Sequence, residues 1–121
     1  MRAESKLKLI TGVYTLAEKT ARRANKIAIS LFGENSTKTA TTYILLSEIS
    51  TTLGDYDRAY EYISKATPVQ QATYGSSHIE VAKSLGQQGL ILFYQGGFND
   101  KAERLLTQSV DIIAQALGKN N

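Results

Sequence analysis

The sequence of 121 residues lacks cysteine and tryptophan, and it contains one proline, one histidine and one methionine. Without cysteine the chain forms no disulfide, no cysteine-ligated zinc or iron–sulfur site and no thiolate nucleophile. With His78 as its only histidine, one copy of the chain builds no paired-histidine metal site. No run approaches the ~18 consecutive apolar residues of a membrane span. The N-terminus leads into no signal-peptide core, so we expect an intracellular, cytoplasmic protein.

The remaining composition is that of an ordinary folded domain, with 42% apolar and 21% charged residues. A chain of this length has room for one domain, so we expect a single domain over residues 1–121. The scarcity of proline and the abundance of alanine and leucine favour helix. We therefore predict an all-α fold.

Glycine and aromatic residues recur with a period of 42 residues. The recurring sets are Gly12, Gly54 and Gly96, then Gly33 and Gly75, and then Tyr14, Tyr56 and Phe98. Each repeat is interpreted as two helices, because glycine allows the left-handed backbone of a tight turn. The pattern predicts helices over residues 3–11, 14–31, 37–53, 56–73, 78–95 and 98–117.

Three local signals refine these predicted helices. Ser36 is a candidate N-cap, and Ser77 with Glu80 has the spacing of a capping box. Pro68 lies inside the fourth predicted helix, where proline removes a backbone hydrogen bond. We expect a kink at Pro68 or a helix that begins again there.

The segments Gly12-Val13-Tyr14-Thr15-Leu16-Ala17 and Gly54-Asp55-Tyr56-Asp57-Arg58-Ala59 resemble the tetratricopeptide repeat. The period of 42 residues resembles the extended repeats of kinesin light chains. This resemblance implies an α-solenoid, a right-handed superhelix of about two and a half helix pairs, with segments 1–35 (partial), 36–77 and 78–121. HEAT and armadillo repeats rank second. The stretch from Pro68 to Gly96 is also similar to the C-terminal helical region of the SET-and-MYND methyltransferases.

In the resembled repeat family the first helix of each pair lines a concave groove that binds a partner. Carried over by position, the lining would be Arg2, Lys6, Leu9, Thr41, Ile44, Glu48, Thr51, Lys83, Gly86, Leu90, Phe93 and Tyr94. The set is cationic at one end, hydroxyl-bearing in the middle and aromatic at the other end. It suits a peptide or helix with acidic residues and an apolar anchor.

The positive charge is concentrated near the N-terminus. Residues 1–26 carry seven cationic and two anionic side chains, whereas the remaining residues carry seven cationic and nine anionic ones. Helical spacing places four of the cations on one basic face, made of Lys19, Arg22, Arg23 and Lys26. This face is either simply solvated or binds an acidic partner. No aromatic residues are interleaved with it, which argues against nucleic acid as the partner.

No catalytic set and no cofactor motif is found in the sequence, so we expect a protein that is not an enzyme. The leading hypothesis is a protein-interaction module, a scaffold or adaptor. The alternatives are a segment permanently docked in a cytoskeletal, ciliary or motor-associated assembly, and a non-catalytic methyltransferase tail. Self-association through an exposed terminal repeat is also expected, on the face that carries Leu105, Leu106, Val110 and Ile113.

Overall fold

A computed structural model describes the backbone of residues 3–118 and the side chains of residues 8–118. The described range contains five α-helices and no strand. The helices are α1 (Ala3–Phe32), α2 (Thr37–Thr52), α3 (Tyr56–Tyr74), α4 (Ile79–Gly96) and α5 (Asp100–Gly118). The predicted all-α class is confirmed.

Each helix packs against the next one along the chain, and α2 also touches α4. The pairs α2–α3 and α4–α5 therefore stack in series after α1, as in a solenoid of two and a half repeats. Small residues allow this close stacking, since Ala40, Ala59 and Ala66 are completely buried. The main core cluster joins three helices and consists of Ala40, Tyr43, Ala59, Ile63, Ala66, Val69 and Ile91.

The predicted break at Gly12 is wrong, because α1 runs without interruption from Ala3 to Phe32. At the matching turn, Gly54 has a φ of +83° and the next residue, Asp55, caps α3 by accepting from the Arg58 amide. Val13 stands 42 residues before Asp55 and has no side-chain acceptor. Without a capping residue to begin a new helix, the chain continues as one helix.

The turn before α5 lies one residue later than predicted. Gly97, and not Gly96, has the positive φ, at +79°. Asn99 then caps the last helix, its Oδ1 accepting from the Ala102 amide at 2.9 Å. The shift explains why Ala102 follows Ala59 by 43 residues.

The predicted capping box at Ser77 is also wrong, because His78 is the N-cap of α4. Its Nδ1 accepts a hydrogen bond from the Glu80 amide at 3.1 Å, and its ring stacks on Tyr74 with centroids 4.6 Å apart. His78 lies 42 residues after Ser36, the confirmed N-cap of α2, and the two caps have nearly the same backbone angles. The N-cap of α4 is therefore the residue that stands 42 positions after the N-cap of α2, although serine is the more usual capping residue than histidine.

Pro68 does not divide α3, which is one helix from Tyr56 to Tyr74. The prediction of a helix that begins again at Pro68 is wrong. The proline is exposed, while Thr67 and Val69 on either side are buried. The ring therefore lies on the solvent side of α3 and leaves the packing of its buried face in place.

Candidate functional site

The helices α2 and α4 are linked to each other by a glutamine. Gln87 of α4 donates from Nε2 to Ser47 Oγ at 3.4 Å and to Thr51 Oγ1 at 3.3 Å, both on α2. This link holds the two helices at one spacing. The predicted groove residues on the two helices, called the α2/α4 surface below, are Thr41, Ile44, Glu48, Thr51, Lys83, Leu90, Phe93 and Tyr94.

The α2 part of this surface is mainly polar. Thr41 and Glu48 are exposed, and the Thr41 hydroxyl donates to the carbonyl of Thr37 at 2.9 Å. Ile44 is half-buried and packs against the core cluster, and Thr51 is half-buried beside Gln87. Of the four predicted groove residues on α2, Thr41 and Glu48 are therefore the two that are exposed to a partner.

The α4 part is cationic at one end and aromatic at the other. Lys83 is exposed, and its Nζ pairs with Glu80 Oε1 at 3.1 Å. Leu90, Phe93 and Tyr94 are all exposed to solvent, Tyr94 most of all at 49%. Three apolar side chains of this size on one helix form a patch that suits an apolar anchor.

The aromatic rings of the patch are held by their neighbours. Tyr94 stacks on Tyr56 of α3, with centroids 5.3 Å apart and planes at 14°. Phe93 meets Tyr94 at 5.9 Å and Phe98 at 6.3 Å, both edge-on. The adjacent Gln95 donates to Asp57 Oδ1 of α3 at 2.6 Å. These contacts orient the rings before any partner arrives, which lowers the entropy lost on binding.

Gly86, predicted as a groove residue, lies against α5. A Cβ at this position would be 2.9 Å from Ser109 Oγ, and that hydroxyl donates to the Ala82 carbonyl at 2.7 Å. A Cβ at Gly89 would be 2.8 Å from Leu106 Cγ. Both glycines therefore serve the close approach of α4 and α5, and Gly86 has no side chain to offer a partner.

The three N-terminal groove residues, Arg2, Lys6 and Leu9, were expected on or beside a separate first helix, which the structure does not contain among the described residues. Arg2 and the side chain of Lys6 are outside the described residues. Leu9 is 64% exposed on α1. The separate helix predicted over residues 3–11 is part of the continuous α1, and the assignment of Arg2, Lys6 and Leu9 to a groove stays a prediction.

All four residues of the basic face are exposed on α1 and border a shallow depression of about 250 Å³. Arg22 pairs with Glu18, one turn earlier, at 3.4 Å. Within residues 8–118, no ion pair involves Lys19, Arg23 or Lys26. Most of this face is therefore free to meet an acidic group.

The described residues hold neither a metal-ligand cluster nor a membrane-spanning helix. They contain no group of three acidic or histidine side chains that could hold a metal ion. The His78 ring nitrogen Nδ1 is occupied by the Glu80 amide. No helix of the described part is both long enough and apolar enough to cross a membrane. The α2/α4 surface presents hydroxyls, a few charges and an aromatic patch.

The family model of the tetratricopeptide repeat matches residues 46–115, more than half of the chain. The chain therefore belongs to the tetratricopeptide repeat family, a class of protein-interaction modules. No curated protein sequence matches the chain. The narrower resemblances, to kinesin light chains and to the SET-and-MYND methyltransferases, stay predictions.

Proposed function

We propose that the chain is a non-catalytic module that binds a peptide or helix of a partner protein on the α2/α4 surface. The observation that carries this proposal is the Gln87 link, which holds α2 and α4 side by side. The surface that they share is polar in its centre, and its aromatic end is held by ring stacking. Such a surface is preformed, so binding needs little rearrangement. The proposed setting is the cytoplasm, and no cofactor takes part.

The chemistry of the surface defines the partner segment. An apolar anchor would pack on Leu90, Phe93 and Tyr94, because desolvated aromatic groups contribute much of the free energy at such interfaces. A carboxylate of the segment would face Lys83, and polar groups would meet Thr41 and Glu48. The activity is complementarity of shape and charge, without turnover.

A second candidate function is that of a segment permanently docked in a larger assembly, cytoskeletal, ciliary or motor-associated. One observation favours it. Phe93 stands 42 residues after Thr51, and Thr51 contacts the following inner helix through Gln87. Phe93 therefore occupies the position that a further inner helix would touch. The terminal face predicted for self-association is only partly open: Val110 is 62% exposed, while Leu105 and Ile113 pack on the core.

The test is the double variant Phe93→Ala/Tyr94→Ala, compared with the wild type in affinity purification from the native cell and quantitative mass spectrometry. The matched control is Tyr74→Ala, which removes another exposed and stacked ring, on α3. We expect the double variant to lose the bound partner at least about tenfold, because hot-spot side chains cost about 2 kcal/mol or more each. The melting temperature should fall by no more than in the control.

Two results would contradict this proposal. Partner recovery equal to that of the wild type would show that the aromatic patch is not the binding site. A collapse of thermal stability in the double variant would show that the rings belong to the core, in favour of a docked segment. Light scattering of the wild-type chain adds a second readout, since a monomer at micromolar concentration supports the free module.

A further inference from the structure

An apolar groove runs between α1 and α2. It encloses about 450 Å³ and is lined by Val13, Leu16, Ala17, Thr20, Ala21, Ala24, Leu45 and Ile49. Leu16 is 65% exposed, and Ile27 and Leu31 continue the same stripe along α1, also exposed. A long contiguous stripe of exposed aliphatic side chains is typical of an interaction surface.

The internal repeat shows what shape fits this groove. A shift of 42 residues relates Ala17 to Ala59, Ala21 to Ile63, Ala24 to Ala66 and Ile49 to Ile91. The second member of each pair lies on α3 or α4 and forms the buried core cluster with Ala40 and Tyr43 of α2. In the second repeat the equivalent groove is therefore filled by α2. In the first repeat Ala21 and Ile49 are buried against Leu46, but no described residue covers Leu16, Ala24 and Leu45, which stay exposed.

Two cations of the basic face, Lys19 and Arg23, lie on α1 beside the exposed Leu16 and Ile27. Lys19 follows Leu16 by three residues, Arg23 follows Lys19 by four and Ile27 follows Arg23 by four, so these four positions adjoin on the surface of α1. The counterpart of Arg23 in the next repeat is Lys65, whose Nζ lies 5.4 Å from the centre of the Tyr43 ring. A cation in this position therefore reaches over the helix that occupies the groove.

One sequence difference between the two repeats determines which side chains the helix in the groove should carry. Gln87, which hydrogen-bonds Ser47 and Thr51 of α2, corresponds to Leu45 in the first repeat. A leucine side chain forms no hydrogen bond, so hydroxyls of the occupant that were buried against Leu45 would stay unpaired, which is costly in free energy. The occupant should have apolar residues where α2 has Ser47 and Thr51.

We propose that this groove binds an amphipathic helix of a partner protein. Its apolar face packs on Leu16, Ala24 and Leu45, and its carboxylates face Lys19 and Arg23. A second copy of the chain fits less well, because the apolar stripe of its α1 is flanked by Lys19 and Arg23 rather than by the carboxylates that the basic face would attract. The groove and the α2/α4 surface are lined by different residues, so either proposal can fail alone.

The test uses two fluorescein-labelled peptides and the full chain of 121 residues. The acidic probe is the sequence of residues 36–53 with Tyr43→Glu, Ser47→Leu and Thr51→Leu. The basic probe is the same peptide with Tyr43→Lys in place of Tyr43→Glu. In fluorescence anisotropy we expect the acidic probe to bind about fivefold more tightly, because its glutamate attracts the exposed Arg23 whereas the lysine of the other probe repels it. The variant Arg23→Glu in the chain should reverse this preference.

The variant Leu16→Glu should weaken binding of the acidic probe at least about tenfold, because it removes a leucine from the contact. The matched control is Val110→Glu, which changes a similarly exposed residue of α5 and should leave binding unchanged. Both variants should keep the wild-type melting temperature. Equal binding of the two probes, or binding insensitive to Leu16→Glu, would overturn the proposal. A dimer in light scattering that Leu16→Glu dissociates would instead make a second copy the occupant.

Discussion

At the scale of single residues, Tyr43 is a core residue whose pKa is shifted by its surroundings. Its ring is buried in the main cluster and lies 6.3 Å from the Tyr62 ring. Its hydroxyl donates to Glu34 Oε2 at 3.0 Å. Burial raises the pKa of Tyr43 above its ordinary value, and the adjacent Glu34 carboxylate raises this pKa further. Both causes disfavour the phenolate.

This raised pKa makes stability depend on alkaline pH. An acid whose pKa is higher in the folded state contributes stability below its unfolded pKa of about 10 and loses it as pH rises through the folded value. We expect Tyr43→Phe to cost about 1 kcal/mol at neutral pH through the lost hydrogen bond. The variant should also flatten the fall in melting temperature above about pH 10. Tyr74→Phe, at an exposed position, is the control. Parallel curves for wild type and Tyr43→Phe would contradict this account.

At the scale of the helices, caps and glycines decide where each element begins and ends. Gly33, Gly54, Gly75 and Gly97 have positive φ and stand between helices. Gly12 has the same sequence signature as Gly54 but lies inside α1, because Val13 cannot cap a new helix. A glycine signature therefore predicts a turn only when a capping residue follows it.

Alanine substitutions at two helical glycines test this description of α1 and α4. Gly12→Ala should raise the free energy of unfolding by up to about 1 kcal/mol, because alanine favours helix and nothing lies within 4 Å of the new Cβ. Gly89→Ala should lower it by about 1–3 kcal/mol, because the new Cβ would be 2.8 Å from Leu106 Cγ. Urea denaturation measures both. If Gly12→Ala lowered the free energy of unfolding instead, this would support a turn at residue 12 and contradict a continuous α1.

At the scale of the whole molecule, stability comes from stacking rather than from any one helix. The main core cluster draws residues from α2, α3 and α4, and a second cluster around Val81, Leu85 and Ile112 joins α4 to α5. Ile91 of α4 completes the cluster of the α2–α3 pair, so neighbouring repeats share their core as in other repeat proteins. Two exposed surfaces of the stack differ in character: an apolar groove lies between α1 and α2, and an aromatic patch lies on α4.

A charge driven into the main cluster should abolish this stacking. Ala59 is completely buried where α3 meets α2, so Ala59→Arg forces a cation into the contact between the helices. We expect loss of the cooperative thermal transition, since an unpaired buried charge costs several kcal/mol. Ala114→Arg, at an exposed position of α5, should melt like the wild type. An unchanged melting temperature for Ala59→Arg would contradict the repeat assignment.

The sequence alone determined the helical class, the period and most of the turns. This was possible because caps and left-handed glycines act within a few residues of the chain, as Ser36 and Gly75 show. It also indicated that Ala59 and Ala66 sit in close contacts, since the period placed small residues at matching positions. Local chemistry was misleading where two local signals competed, as at Ser77 and His78.

Only the tertiary structure decided which surfaces are covered. Gly86 faces α5, Gln87 bridges to α2 and Leu16 is left open, and each of these depends on a helix distant along the chain. Helical periodicity defines the faces of one helix but not the neighbour that each face meets. That is decided by the packing of the whole stack, because a face is buried only when another helix lies on it.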